Sequence, residues 1–124
     1  MGRNGGRAKD GHLARAVLAI TRARAEFTRA RKSKDELDGG QAAEKAWLAV
    51  SEASKALLRS KGVTLHEMPE GHRGAEMAKS YVLIRAVLHA DAFYRGLIDW
   101  DLAGETIGRA EGFVSRAQQL SVHN

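Results

Sequence analysis

The chain has 124 residues, no cysteine and a formal charge of +5. That length suits a single domain able to bury a real core. Lack of cysteine excludes disulfide frameworks and thiolate metal sites, and no run nears the ~18 apolar residues of a membrane span, so a soluble cytoplasmic protein is expected.

Residues 1–9 are rich in Gly and Arg, with no large apolar residue after Met1, and read as a disordered basic tail ahead of a single domain over 10–124. The apolar stretch Ala16 to Ile20 is too short for a signal-sequence core. Asp10 suits a helix N-cap, and Leu13, Ala16, Val17, Ile20, Ala23 and Phe27 then recur at helical spacing. This first helix is expected to run to about Asp35 and to be broken by Gly39-Gly40.

A second helix is predicted from about Gln41 to Lys61. Ala43, Ala46, Trp47, Val50, Ser54, Leu57 and Leu58 form its stripe, and Lys61-Gly62 forms its stop: a cation in the last turn, then a residue free to take positive φ. The following loop holds the single proline, Pro69, with His66 and His72. A third helix starts near Gly74, with Met77, Tyr81, Ile84, Leu88 and Ala92 on one stripe. Val82, Leu83, Val87, Phe93 and Tyr94 place apolar groups on its other sides. A helix apolar nearly all round is either central in its domain or shared with a partner subunit. It ends between Gly96 and Trp100. Asp101 can cap a fourth helix whose buried face is Ala103, Ile107, Ala110, Val114, Ala117 and Leu120. No strand pattern, internal repeat or sustained heptad is present. Four helices with short links predict an all-α, up-and-down bundle.

Charge is distributed unevenly. Residues 1–34 hold ten basic and two acidic residues, a net of +8, and the remainder nets −3. Arg15, Arg22 and Arg29 recur every seven residues on the face opposite Ile20 and Phe27, a positive edge suited to RNA or DNA phosphates or to the acidic part of a second copy. No aromatic side chain interleaves with it, and an ordinary solvated helix back has the same pattern. Arg24 and Arg31 fall instead on the apolar face, where they are expected to snorkel at the bundle end or pair with acids of the second helix.

Gly104, Gly108 and Gly112 repeat every four residues in the fourth helix. Each costs about 1 kcal/mol relative to Ala, so the ridge suggests close backbone approach at a dimer seam, or else a merely tolerated set. The histidines His12, His66, His72 and His123 are scattered. His66, Glu67 and His72 lack ligand spacing on one helix face, and the Gly-Gly pairs at 5–6 and 39–40 lack a phosphate-loop context. No metal or cofactor is expected.

Several stretches together resemble HEPN-like domains: Gln41-Ala-Ala-Glu-Lys-Ala-Trp47, Ala56-Leu-Leu-Arg-Ser-Lys-Gly62-Val63, Pro69-Glu-Gly-His-Arg73, Leu88-His-Ala-Asp-Ala-Phe-Tyr94-Arg-Gly, and Glu111-Gly-Phe-Val114. The likeness covers most of residues 10–120 and is one of pattern. It implies a four- or five-helix up-and-down bundle, commonly homodimeric. Some such proteins are ribonucleases built on Arg, four to six residues, then His. Others lack the motif and act as binding or scaffold partners, sometimes beside a nucleotidyltransferase. Here the nearest pair, Arg85 and His89, has three residues between its members, with Ala86 where a polar residue is usual. The pair Arg59 and His66 is interrupted by Gly62.

Arg85 and His89 lie four apart, on one helical face. In a metal-independent ribonuclease the imidazole would move the proton and the guanidinium would steady phosphate charge. The structural alternative is a hydrogen bond or an ion pair with a carboxylate such as Asp91 of a partner chain. The sequence thus favours a non-catalytic homodimeric interaction protein over an enzyme. The competing readings are a degenerate ribonuclease of toxin–antitoxin type and a nucleic-acid-binding module working through the first helix.

Overall fold

A computed structural model describes residues 2–62 and 74–122, with only the backbone given for residues 2–10, 61 and 122. The expected histidine positions 66, 72 and 123 therefore lie outside the described residues. The elements are α1 (Gly2–Ser33), α2 (Glu36–Lys61), α3 (Gly74–Ile84), which continues directly into a π-helical segment (Arg85–Tyr94), and α4 (Trp100–Val122). No strand occurs among the described residues. The backbone is helical from Gly2, through the segment read from sequence as a tail.

The contacts define an up-down-up-down bundle. Glu26 of α1 meets Lys45 of α2 while His12 meets Glu52, so α2 runs back along α1. Glu44 meets His89 and Trp47 meets Tyr81, so the third arm reverses again. Met77 and Phe113 share a cleft wall near one end, while Val87 and Ala103 share another farther along, so α4 reverses once more. α2 and α4 touch across the centre. α1 packs on both of them from one side, and the α3–π arm packs on both from the other.

The core follows the predicted stripes. Ala16, Ala23, Ala43, Ala46 and Ala53 are fully buried, and their small side chains let α1 and α2 approach closely. Phe27, Leu57, Ile84, Leu88, Ile107 and Val114 fill the larger spaces. Phe27 packs on Trp100 with ring centroids 5.5 Å apart.

Three boundaries differ from the sequence reading. α1 ends at Ser33 in a Schellman turn: the Lys34 N–H donates to the Arg31 carbonyl at 3.2 Å and the Asp35 N–H to the Ala30 carbonyl at 3.0 Å. Lys34 takes the left-handed position (φ 56°) usually given to glycine. Asp35 then caps α2 by accepting the Asp38 N–H at 3.0 Å. Gly39 and Gly40 thus sit inside α2 and do not break the first helix. Their role is close packing: a Cβ on Gly40 would lie 2.8 Å from the Ala92 carbonyl oxygen, and one on Gly39 would lie 2.7 Å from Ile98 and Trp100. Asp99, not Asp101, caps α4, accepting the Leu102 N–H at 3.1 Å. The stop at Gly62 stands as expected, with φ 73° and its N–H 2.7 Å from the Leu58 carbonyl.

The π-helical segment had no counterpart in the sequence reading. No glycine or proline interrupts residues 75–95. The widened winding ends where the Arg95 N–H reaches back five residues to Ala90, and Gly96 then turns the chain at φ 68°.

Candidate functional site

The α2–π contact carries the expected site histidine. Gly40 lets the two backbones meet, and Glu44 follows one helical turn later. Its Oε1 lies 2.7 Å from Nδ1 of His89. An ionised carboxylate only accepts, so Nδ1–H is the donor and Nε2 is left as the other ring nitrogen. The Glu44 side chain is 18% exposed and that of His89 32% exposed, so the pair sits at the edge of the core. The imidazole lies between aromatic rings, with centroids 6.0 Å from Trp47 and 6.3 Å from Phe93, the latter stacked. Trp47 is held in turn by Tyr81 at 5.0 Å.

Arg85 is on the same segment but exposed, with no hydrogen bond or ion pair among the described residues. The fold therefore gives His89 a partner without joining it to Arg85. Asp91 is engaged locally, accepting from Arg95 at 3.3 Å. The residue sequence reasoning missed is Glu44. It stands among ordinary polar positions of an amphipathic helix, and only the antiparallel packing of α2 on the third arm reveals it. The arrangement can do two things chemically. It satisfies a half-buried imidazole, and it fixes a tautomer whose free nitrogen could move a proton.

Three arginines of the basic first helix, Arg15, Arg24 and Arg31, find a carboxylate within the chain. Arg15 donates to Glu52 at 3.0 Å, and His12 donates to the same oxygen. Arg59 donates to Nε2 of His12. Since guanidinium groups only donate, Nε2 accepts and the proton of a neutral ring lies on Nδ1. The His12 hydrogen bond, helped by the hydrogen bond and charge of Arg15, holds the Glu52 carboxyl below the ordinary glutamate range against the opposing effect of burial. Of the predicted stripe, Arg22 and Arg29 remain exposed without an ion pair among the described residues.

Arg24 and Arg31 pair with the fourth helix, not the second. Arg24 reaches Glu111 at 2.6 Å. Arg31 binds the Asp101 carboxylate and donates to the Trp100 carbonyl at 3.2 Å. The glycine row of α4 runs beside these side chains. A Cβ on Gly104 would lie 3.4 Å from Arg31 and 3.5 Å from Phe27, and one on Gly108 would lie 3.5 Å from Arg24. Gly104 and Gly108 thus border arginine side chains of their own chain. Gly112 is exposed, with nothing within 4 Å of its Cβ position.

Among the described residues no three His, Asp or Glu side chains cluster as metal ligands do, and no helix is long and apolar enough to cross a membrane. The fold and its contacts define an all-α helical bundle. No protein-family model matches the chain, nor does any curated protein or solved structure.

Proposed function

We propose that this is a non-catalytic, cytoplasmic interaction protein, a HEPN-like bundle that pairs with a second copy through the outer side of its third arm. The supporting observation is where that arm lies. A helix apolar on most sides is central or shared. Here α3 and the π segment pack at the periphery on α2 and α4, so their remaining apolar side faces outward. Val82 is 61% exposed and Tyr94 81%, and Leu83, Ala86 and Phe93 are also exposed. A two-fold axis would set this face against the same face of a second copy and bury both. The expected result is a dimer by light scattering at micromolar concentration, reduced to a monomer by Val82→Glu. A monomeric parent protein overturns the proposal, and a monomer that binds a different protein through Val82, such as a nucleotidyltransferase, replaces the second copy by that partner.

A second reading rests on Glu44, Arg85 and His89: a degenerate, metal-independent ribonuclease. The carboxylate-oriented imidazole favours it, because a fixed tautomer with a free Nε2 is what a general base needs, and Arg85 has no competing carboxylate. Cleavage of RNA in chelator, lost in His89→Ala, would establish it. Absence of cleavage in the parent protein removes it. Nucleic-acid binding through α1 has weaker support, since the Arg15, Arg24 and Arg31 side chains are already paired and Arg22 and Arg29 carry the remaining edge.

A further inference from the structure

Lys34 and Asp35 are all that lies between α1 and α2. Lys34 is the single non-glycine residue at positive φ among the described residues, at 56°. The left-handed region is costly for a residue with a side chain. The turn is held by the Lys34 N–H on the Arg31 carbonyl, the Asp35 N–H on the Ala30 carbonyl and the Asp38 N–H on the Asp35 carboxylate.

Winding this turn into α-helix would deprive none of those donors. Each would reach back four residues: Lys34 to Ala30, Asp35 to Arg31, Asp38 to Lys34. The last carbonyls of α1 and the first N–H groups of α2, orphaned at two helix ends, would then serve one another. Residues 31–38 contain no glycine or proline to oppose it. Lys32 and Glu36 lie four apart, as do Lys34 and Asp38, so a continuous helix would set opposite charges side by side. No ion pair joins these side chains in the closed turn.

What keeps the turn closed is the seat of α1. Leu13, Ile20 and Phe27 are buried, and α1 packs on α2 and α4. Winding the turn would carry α1 off its own seat and expose both surfaces to water. A second copy of the chain offers the same seat, with every apolar side chain and carboxylate in place.

We propose that α1 exchanges between two copies of this chain. The turn at Lys34 winds up, α1 and α2 join into one long helix, and each α1 seats on the α2 and α4 of the other copy. The contacts of the seat are remade between chains, among them Arg15 with Glu52, Arg24 with Glu111 and Phe27 with Trp100. The exchanged dimer gains the relief of two strained turns and loses the independent motion of two molecules, so high chain concentration favours it. Because α1 must leave its seat first, exchange accompanies refolding. The α1 seat and the third arm lie on opposite sides of α2 and α4, so this exchange does not rest on the dimer proposed above.

The test uses two full-length variants, Glu26→Cys and Lys45→Cys, each also carrying Val82→Glu to remove the third-arm contact. Glu26 and Lys45 meet across α1 and α2 at 2.7 Å, and the chain has no cysteine of its own. The two proteins are unfolded together in urea, refolded at millimolar concentration and treated with a short bismaleimide. The expected product is a covalent pair of unlike chains, formed far less when the folded proteins are mixed without unfolding. Lys34→Gly, which accepts the closed turn without strain, should lower the yield about fivefold or more. Asp35→Ala removes a cap that only the closed turn needs and should raise the yield. Refolding that gives no covalent pair of unlike chains overturns the proposal. So does an equal yield from folded proteins mixed without unfolding, and so does a yield unchanged in Lys34→Gly.

Discussion

The same substitution, Gly→Ala, should act with opposite sign at two helical positions of this chain. In a helix interior glycine costs about 1 kcal/mol relative to alanine, through backbone entropy. At Gly112 the new methyl meets nothing within 4 Å, so Gly112→Ala should stabilise by about 0.5–1 kcal/mol. At Gly40 the methyl would lie 2.8 Å from the Ala92 carbonyl oxygen. The obstacle is backbone, not the end of a flexible side chain, so the upper part of the ~1–3 kcal/mol range for overpacking applies. Subtracting the propensity gain leaves a net loss of about 2 kcal/mol, or roughly 6–10 °C in melting temperature for a domain of this size. Because Glu44 follows Gly40 by one turn, the same change should also loosen the Glu44–His89 hydrogen bond. Thermal melts followed by circular dichroism read the stability, and the pH titration of the His89 ring protons by NMR reads the contact. A Gly40→Ala protein as stable as its Gly112→Ala counterpart would refute the close-approach argument.

Other expectations follow from named contacts. The Glu52 carboxyl is depressed by its hydrogen bond from His12 and by Arg15, so its contribution to stability is present above the ordinary glutamate value of 4.5 and is lost as pH falls through the lower folded value. Urea midpoints of the parent protein should therefore drop across that acid window more steeply than those of Glu52→Gln, and parallel curves would remove the effect. Glu44→Leu deletes the acceptor of a half-buried imidazole and should destabilise by about 1 kcal/mol, more than Leu48→Gln at an exposed position of the same helix. Lys34→Gly replaces a strained left-handed residue in the Schellman turn and should raise the urea midpoint by the equivalent of about 0.5–1 kcal/mol. A lowered midpoint would show that the lysine side chain matters more than its backbone angle.

The helical stripes were legible because burial follows a 3.6-residue period, and Ala16, Ile20, Ala23 and Phe27 obey it without exception. Gly39-Gly40 misled because glycine has two uses, ending a helix and admitting a neighbour, and local sequence does not distinguish them. The actual turn was hidden because a lysine stands where glycine usually does. The π winding leaves no compositional mark, since it changes only which carbonyl each N–H reaches. Glu44 was illegible for a different reason: its meaning comes from His89, forty-five positions away. The charge imbalance was plain in the sequence, but its resolution needed the topology. Once α1 is seated between α2 and α4, Glu52, Asp101 and Glu111 come within reach of its arginines.

The turn at Lys34 and Asp35 is therefore also an electrical boundary, with a net of +8 before it and −3 after it. Three arginine–carboxylate pairs reach across it. A chain cut at that turn would yield two polyelectrolytes of opposite sign, each carrying an apolar stripe cut to the other. Their recombination would be guided over about a Debye length, ~10 Å in 0.1 M salt, before any side chains touch. In the intact chain the same attraction draws α1 toward its seat from a distance at which the hydrophobic effect does not yet act.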